Sequence, residues 1–197
     1  MNIQQIPSLV INLPKRKDRL LGFKEELKHI GSPDFIVIDG IIDEVNVHKG
    51  ISQAHVNCVK WAKKNDAPYV LIMEDDVLFQ AKERTLDYIN ECFDNLPSDW
   101  DILLGGVSFA KGMKKYNDYW NEIGDLCGTH FYVVNSKAYD KIIAFDCNTY
   151  FDRWIGRNKD LKTFVARKFF AIQSEGFSDN TGKKEDYSRL FRKFQLL

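Results

Sequence analysis

The segment YVLIMEDDVLF, residues 69–79, places three consecutive carboxylates between two apolar runs. Residues 69–73 have the continuous apolar pattern of a buried strand, and the chain becomes apolar again at residues 77–79. Burying an uncompensated carboxylate costs on the order of several kcal/mol. We therefore expect Glu74, Asp75 and Asp76 to lie at the end of a strand, where a ligand or a cation balances their charge.

Apolar strand patterns and amphipathic helix patterns alternate on both sides of this segment. The predicted strands are residues 8–13, 35–39, 69–73, 100–104, 131–134 and 169–172. The predicted helices are residues 16–30, 51–64 and 81–95, a helix capped by Ser136, and a short helix around Asp152. This alternation predicts an α/β fold, a single Rossmann-like domain with a mostly parallel twisted central sheet flanked by helices.

The composition limits the class of protein. With 197 residues, of which 44% are hydrophobic and 28% charged, the chain suits one soluble globular domain. Its 28 basic residues balance 28 acidic ones, which argues against a nucleic-acid partner. We find no signal-peptide or membrane-span pattern, and the four cysteines are widely spaced, so we expect a cytoplasmic protein.

The three acids have the spacing of a metal site. In open α/β sheets ligands bind beyond the carboxyl ends of the strands. Glu74 and Asp76 are separated by one residue, so both can turn toward one cation while Asp75 meets a hydroxyl. Hard divalent cations bind carboxylates together with substrate phosphates, so the pattern predicts Mn²⁺ or Mg²⁺. The alternative is a solvated turn rich in acids.

Five motifs occur in order along most of the chain. They are Ile11-Asn12-Leu13 with Arg16 and Arg19, Gly50 to His55, Glu74-Asp75-Asp76, Gly128-Thr129-His130-Phe131-Tyr132, and Ser178-Asp179. This ordered set resembles glycosyltransferase family 25, the lipopolysaccharide and procollagen galactosyltransferase-like group. One departure is Ala54, where the family usually has a serine before the histidine.

The resemblance implies a GT-A type domain, which we assign to residues 1–182. Such a domain would move a hexose, galactose or glucose, from a nucleotide diphosphate sugar to a hydroxyl of a glycan or glycoconjugate. The resemblance favours a UDP-sugar as donor and a divalent metal bound by carboxylates. Members of the family generally invert the anomeric centre, which requires one general base opposite the departing nucleotide.

Several polar residues are candidates for binding the donor. They are Asn12, Arg16, Arg19, Asp39, His55, Asp75, His130, Ser178 and Asp179. The two arginines suit bidentate contact with phosphate, and Asp39, at the end of the second predicted strand, suits a ribose hydroxyl. The alternatives are structural: a charged helix start, a turn aspartate and packed histidines.

Asp152 is the predicted general base for the acceptor hydroxyl. It lies among Phe151, Trp154 and Ile155, and burial in such surroundings raises the pKa of a carboxyl group. The aromatic faces could also stack on a sugar ring. Glu175 and Asp179 are competing bases, and an exposed helix aspartate is the structural alternative.

Residues 183–197 are predicted to form a basic helical tail. Between residues 183 and 193 the chain has five basic and two acidic residues. A solvated helix is the favoured interpretation, and a patch that contacts an anionic acceptor or the surface of a membrane is the alternative.

Two other classes of function fit the same acids. A metal-dependent hydrolase of nucleotides or nucleotide sugars is one, although the sequence lacks a P-loop glycine–lysine signature and a His-rich two-metal set. The other is an inactive module that binds a nucleotide sugar without depending on metal.

Overall fold

The computed structural model describes residues 1–31, 34–179 and 181–197. The helices in this part of the chain are α1 (Lys17–Leu27), α2 (Val47–Lys64), α3 (Thr85–Asp94), α4 (Tyr139–Ile143), α5 (Phe151–Arg157) and α6 (Ser188–Phe191). The strands are β1 (Ser8–Asn12), β2 (Phe35–Asp39), β3 (Tyr69–Glu74), β4 (Val77–Phe79), β5 (Ile102–Leu104), β6 (Phe109–Ala110), β7 (Lys114–Lys115), β8 (Trp120–Glu122), β9 (Leu126–Cys127), β10 (Phe131–Asn135), β11 (Thr163–Ala166), β12 (Ala171–Gln173), β13 (Gly176–Ser178) and β14 (Lys183–Glu185).

Eight of these strands form one sheet in the order β2-β1-β3-β10-β5-β11-β8-β7. β10 and β8 run antiparallel to both of their neighbours, and the other six strands share one direction. The sheet is therefore mixed and mostly parallel, which confirms the predicted fold class. Because β1, β2 and β3 are parallel neighbours, their carboxyl ends meet at one edge of the sheet.

Helices cover the sheet on both faces. One apolar core contains residues of α2, α4 and α5, and the other contains residues of α1 and α3. Along β3 the side chains alternate between them: Val70 and Ile72 lie in the first core, Leu71 and Met73 in the second. A strand buried on both faces reads as an unbroken apolar run, which is why this segment was recognisable.

Three predicted helix starts differ from the structure because of local capping or backbone conformation. α2 begins four residues earlier than predicted, since the side chain of Asn46 accepts the N–H of Lys49. α3 begins at Thr85 because Ala81, with φ of 47°, cannot lie in a right-handed helix. Ser136 is not a cap; the side chain of Asn135 accepts the N–H of Lys137 instead.

The last predicted strand was also displaced. It runs from Ala171 to Gln173 and pairs with β4 in a separate two-stranded sheet. The sheet instead contains β11, which the sequence pattern did not predict. β11 is four residues long and begins with a threonine, so it has too little apolar pattern to stand out.

The basic tail contacts the rest of the protein. β14 pairs with β13, the side chain of Phe191 is buried, and Leu196 forms a β-bridge with Phe169. The boundary at residue 182 stays a prediction. In the described residues, no helix has both the length and the apolar character needed to cross a membrane.

Candidate functional site

A cavity of about 300 Å³ opens at the carboxyl ends of β1, β2 and β3. Its apolar lining comes mainly from the loop after β2 and from the start of α2: Ile11, Leu13, Ile41, Ile42, Val47, Ile51 and Ala54. Its polar and charged lining consists of Lys15, Arg16, Arg19, Asp43, Glu44, His55, Glu74, Asp75, Asp76, Gln173, Ser178, Asp179 and Tyr187. The position is the one expected for a ligand crevice in an open α/β sheet.

The acidic segment reaches this cavity through the turn between β3 and β4. Glu74 is the last residue of β3, and Asp75 and Asp76 form the turn. Asp75 accepts hydrogen bonds from Arg19 at 2.8 Å and from the amide of Asn12 at 2.6 Å. Arg19 also lies 3.3 Å from Asp76, so its guanidinium contacts two neighbouring carboxylates.

Asp76 is buried and has an unpartnered oxygen. Its Oδ2 accepts from the amide of Gln173 at 3.1 Å and from Arg19 at 3.3 Å, whereas its buried Oδ1 has no hydrogen-bond partner. Burial and the charge of Glu74 raise the pKa of Asp76 to about 7, against the opposing effect of Arg19. A buried carboxylate oxygen that has no hydrogen-bond partner and lies at a cavity is well suited to bind a cation.

Glu74 is held by residues from α2 and from the segment before β10. Its Oε1 accepts the hydroxyl of Thr129 at 3.1 Å and lies 3.5 Å from Nε2 of His55. Burial alone would raise the pKa of Glu74, but His55, His130 and Thr129 outweigh burial, so the pKa is lowered. Glu74 is therefore held in its ionised form at the edge of the cavity.

His55 is itself fixed in place. Nδ1 of His55 lies 2.8 Å from the hydroxyl of Tyr132, and the imidazole stacks on Phe151 with ring centroids 4.7 Å apart. Burial raises the pKa of Tyr132 well above its ordinary value, so the phenol keeps its proton. If Tyr132 donates to Nδ1, the remaining imidazole proton is on Nε2, facing Glu74.

Two arginines connect the cavity to the hairpin formed by β13 and β14. Arg16 contacts Asp179 at 2.6 Å, and Arg16 and Arg19 both donate to the carbonyl of Phe177. Lys15 also contacts Asp179, at 2.7 Å. Burial would raise the pKa of Asp179, but Lys15 and Arg16 outweigh it and lower that pKa. Asp179 is thus an ion-paired carboxylate, which makes it a weak base.

Gly50 explains how the apolar part of the cavity is built. A Cβ atom at this position would lie 2.3 Å from the carbonyl oxygen of Ile41, a distance that no side chain tolerates. The loop that carries Ile41 and Ile42 therefore packs directly on the first turns of α2. The glycine of the Gly50-to-His55 motif thus has a steric role in shaping the cavity.

The structure brings most of the sequence-predicted residues together. The cavity is lined by Arg16, Arg19, His55, Glu74, Asp75, Asp76, Ser178 and Asp179. Asn12 is buried and donates to Asp75. Asp39 and His130 do not line the cavity: Asp39 is exposed at the end of β2, and Nε2 of His130 lies 3.0 Å from the carbonyl of Ala171.

Sequence reasoning missed several residues that support the acids. Thr129 and Tyr132 belong to a motif that was recognised, but only His130 of that motif was assigned a role. The alternation of a strand was the available signal, because Tyr132 lies two residues after His130 and therefore points to the same face of the sheet. Lys15 and Tyr187 also line the cavity and were not singled out.

Asp152 lies on the far side of the segment that precedes β10. It is in the first turn of α5, and its Oδ2 accepts the N–H of Gly128 at 2.9 Å. The next residue, Thr129, contacts Glu74. Burial raises the pKa of Asp152, although the backbone N–H groups of Gly128 and Arg153 oppose the rise. Asp152 is therefore close to the acidic segment but is not among the lining residues of the 300 Å³ cavity.

The charges of the cavity do not balance. Among the described lining residues, three are basic and six are acidic, so an anionic ligand would meet net negative charge. In the same part of the chain, no group of three or more His, Cys, Asp or Glu residues is arranged to hold a metal ion. Any cation bound here would need ligands from the substrate in addition to those of the protein.

No family model and no curated protein sequence matches this chain. The fold is similar to A197 from STIV, with a TM-score of 0.55 and 13% identity over 93% of both chains. It is also similar to a glycosyltransferase involved in the glycosylation of the major capsid of PBCV-1. That match has a TM-score of 0.55 and 16% identity, over 81% of this chain and 80% of that chain. At these identities the likeness concerns the fold alone: this chain has an α/β fold of the GT-A type, and its structural neighbours include a glycosyltransferase.

Proposed function

We propose that this protein is a metal-dependent glycosyltransferase. It moves a hexose, galactose or glucose, from a nucleotide diphosphate sugar to a hydroxyl of a glycan or glycoconjugate, with inversion at the anomeric carbon. The observation that carries the proposal is the 300 Å³ cavity, which joins an apolar lining to arginines and acids at the ends of parallel strands. A nucleoside would occupy the apolar part, and the diphosphate would lie at the charged part.

The donor set fits a divalent metal, Mn²⁺ or Mg²⁺. Glu74 and Asp76 would hold it, and the buried, unpartnered Oδ1 of Asp76 is the atom best suited to do so. The excess of acidic residues in the lining would repel a diphosphate unless a cation is present. When bound, the cation would neutralise the charge that develops on the diphosphate leaving group.

The chain's own side chains would bind the diphosphate, orient Glu74 and remove the proton of the acceptor hydroxyl. Arg16 and Arg19 each have a planar guanidinium suited to phosphate, and on donor binding they would exchange contacts with Asp179 and Asp75 for phosphate oxygens. His55 would keep the Glu74 carboxylate oriented. Asp152 would take the proton of the acceptor hydroxyl, because its raised pKa and its position next to the Gly128-Thr129 segment suit a general base.

We place the protein in glycosyltransferase family 25 on the strength of the five ordered motifs. The contacts of those motifs support the assignment, since Asn12, Arg19, Asp75 and Thr129 all meet at the acidic segment. On the same resemblance we favour a UDP-sugar as the donor. Ser178 lines the cavity and keeps its proposed donor-binding role, whereas Asp39 and His130 lie outside the lining, so we assign them no donor contact in this proposal.

The basic tail and the four cysteines suggest where the enzyme works. All four cysteines, each within the described residues, are free thiols, which suits a reducing cytoplasm. We propose peripheral contact of the tail with an anionic membrane surface as a secondary property. Co-sedimentation with vesicles of anionic and of neutral lipid tests this property, and equal partition to both would refute it.

The proposed function is tested by thermal unfolding against a panel of nucleotide sugars, with Mn²⁺ and with EDTA. A ligand that binds the folded state raises the melting temperature, so the donor should stabilise the protein only when the metal is present. The stabilising donor is then assayed for sugar transfer to glycan acceptors. Rapid hydrolysis without an acceptor would favour a hydrolase, and stabilisation that is indifferent to metal would favour a binding module.

A further inference from the structure

A second and larger cavity adjoins α5. Its volume is about 960 Å³, and its lining residues are Cys127, Thr149, Tyr150, Asp152, Arg153, Trp154, Arg157 and Asn158. None of these residues lines the 300 Å³ cavity. Volumes up to about 1,000 Å³ are typical of sites for small molecules. The cavity is therefore separate from the first and large enough for a small molecule.

The floor of this cavity is held rigidly. A Cβ atom on Gly156 would lie 2.6 Å from the carbonyl oxygen of Gly124 and 2.7 Å from the backbone nitrogen of Leu126. α5 thus packs in direct backbone contact with the chain leading into β9. Trp154, on the same helix, stacks on Phe145 with ring centroids 4.5 Å apart. These contacts fix the aromatic lining before any ligand binds.

The two cavities are joined through one short backbone segment. The carboxylate of Asp152, which lines the second cavity, accepts the N–H of Gly128. The hydroxyl of the following residue, Thr129, donates to Glu74, which lines the first. A ligand hydroxyl that hydrogen-bonds to Asp152 would therefore be connected to Glu74 through two consecutive residues, Gly128 and Thr129.

The charges around the second cavity are paired. Arg153 contacts Asp125 at 2.8 Å, and Arg157 contacts the same carboxylate at 3.2 Å. Arg153 also lies over the ring of Phe109, 5.0 Å from its centroid. With Asp125 and Asp152 balancing the two guanidinium groups, the site has no surplus positive charge for a phosphate or carboxylate ligand. This pairing favours an uncharged ligand.

The remaining lining has the chemistry of a carbohydrate site. The ring of Tyr150 is half exposed and has His48 against it, and the indole of Trp154 is partly buried against Phe145, so each ring keeps some surface on the cavity. Thr149 and Asn158 add a hydroxyl and an amide. A pyranose needs this combination, with flat apolar surfaces for its C–H groups and polar groups for its hydroxyls.

We propose that this second cavity binds the acceptor, and that the acceptor is an uncharged pyranoside. Its reactive hydroxyl would point toward Asp152, and its ring would stack on Tyr150 or Trp154. This inference rests on the proposed glycosyltransferase function and adds to it the place and the chemical class of the acceptor.

The test is binding of sugars to the full chain, measured by saturation-transfer NMR and calorimetry. The neutral probes are the methyl glycosides of galactose, glucose, mannose and xylose together with lactose and cellobiose; the anionic probes are glucose 6-phosphate and N-acetylneuraminic acid. We expect at least one neutral probe to bind and the anionic probes to bind at least tenfold more weakly. Failure of every neutral probe, or tighter binding of an anionic one, would overturn the inference.

Variants locate the binding. Tyr150→Ala should weaken binding of the neutral probe at least tenfold. Tyr116→Ala is the matched control: Tyr116 has a similar exposure of 47% but does not line the cavity, so its removal should leave binding unchanged. Trp154→Ala is the second variant, accepted only if its circular dichroism is that of the parent protein. An equal effect of the Tyr150 and Tyr116 substitutions would refute the location.

Nucleotide-sugar binding with Mn²⁺ is measured on the same samples. It should be unchanged in both tyrosine variants, because neither side chain lines the donor cavity. If the parent binds glycans in this cavity but binds no nucleotide sugar, the proposed enzymatic function fails and the carbohydrate site stands. If it binds nucleotide sugars but none of the neutral glycosides, the acceptor inference fails alone.

Discussion

Asparagine in place of Asp76 should make the metal-free protein more stable while it abolishes metal-dependent donor binding. Asp76 is buried, and its pKa rises from 3.8 to about 7 in the folded protein. At about 1.4 kcal/mol per pH unit, keeping this carboxylate ionised lowers the stability of the metal-free protein by about 4 kcal/mol at pH 8. Asparagine removes that charge with little change of size, so we expect a gain of roughly 2–4 kcal/mol.

The sign of the pH dependence makes this prediction specific. Between the unfolded pKa of 3.8 and the folded pKa of about 7, the folded protein binds more protons at Asp76 than the unfolded chain does. Stability attributable to this group therefore falls as the pH rises through that window. The stabilising effect of Asp76→Asn should be about 2 kcal/mol larger at pH 8 than at pH 5.5.

Urea unfolding in EDTA at the two pH values measures this difference, and calorimetry with Mn²⁺ and the nucleotide sugar measures binding. Asp118→Asn is the matched control, since Asp118 is an exposed carboxylate paired with Lys115 and should show neither effect. A stability change in Asp76→Asn that does not depend on pH would refute the reasoning about burial. Metal dependence equal to that of the parent would refute the role of Asp76 as a ligand.

Three further substitutions separate the other proposed roles. Asp152→Asn should lower turnover by about 10²–10⁴-fold with donor and metal binding unchanged; a loss below about tenfold in steady-state kinetics would place the base elsewhere. Asp75→Asn should weaken binding of the nucleotide sugar more than binding of Mn²⁺ in calorimetry, because Asp75 lines the cavity as the proposed contact for a donor hydroxyl, whereas Glu74 and Asp76 are the proposed metal ligands; the reverse order would contradict this. Gly50→Ala should lower nucleotide affinity and melting temperature by displacing the adjacent loop, whereas Gly22→Ala, whose Cβ would meet nothing within 4 Å, should do neither.

Local patterns in the chain were enough to predict that the acids lie at the carboxyl end of a buried strand. The run at residues 69–73 is apolar without interruption because β3 is buried on both faces, and that property is visible in the letters themselves. The bounds of β2 were predicted to the residue, because Gly40 ends the β-branched run. The position of the acids followed from the rule that ligands bind beyond the carboxyl ends of parallel strands.

The tertiary structure decided which residues support those acids. His55 and Thr129 lie 74 positions apart and meet at Glu74 only because β10 inserts between β3 and β5. Long-range pairing of this kind leaves no periodic signal in one sequence, which is also why β11 and the displaced β12 were missed. The pairing of Arg153 and Arg157 with Asp125, on which the uncharged character of the second cavity depends, is likewise a product of how α5 packs against β9.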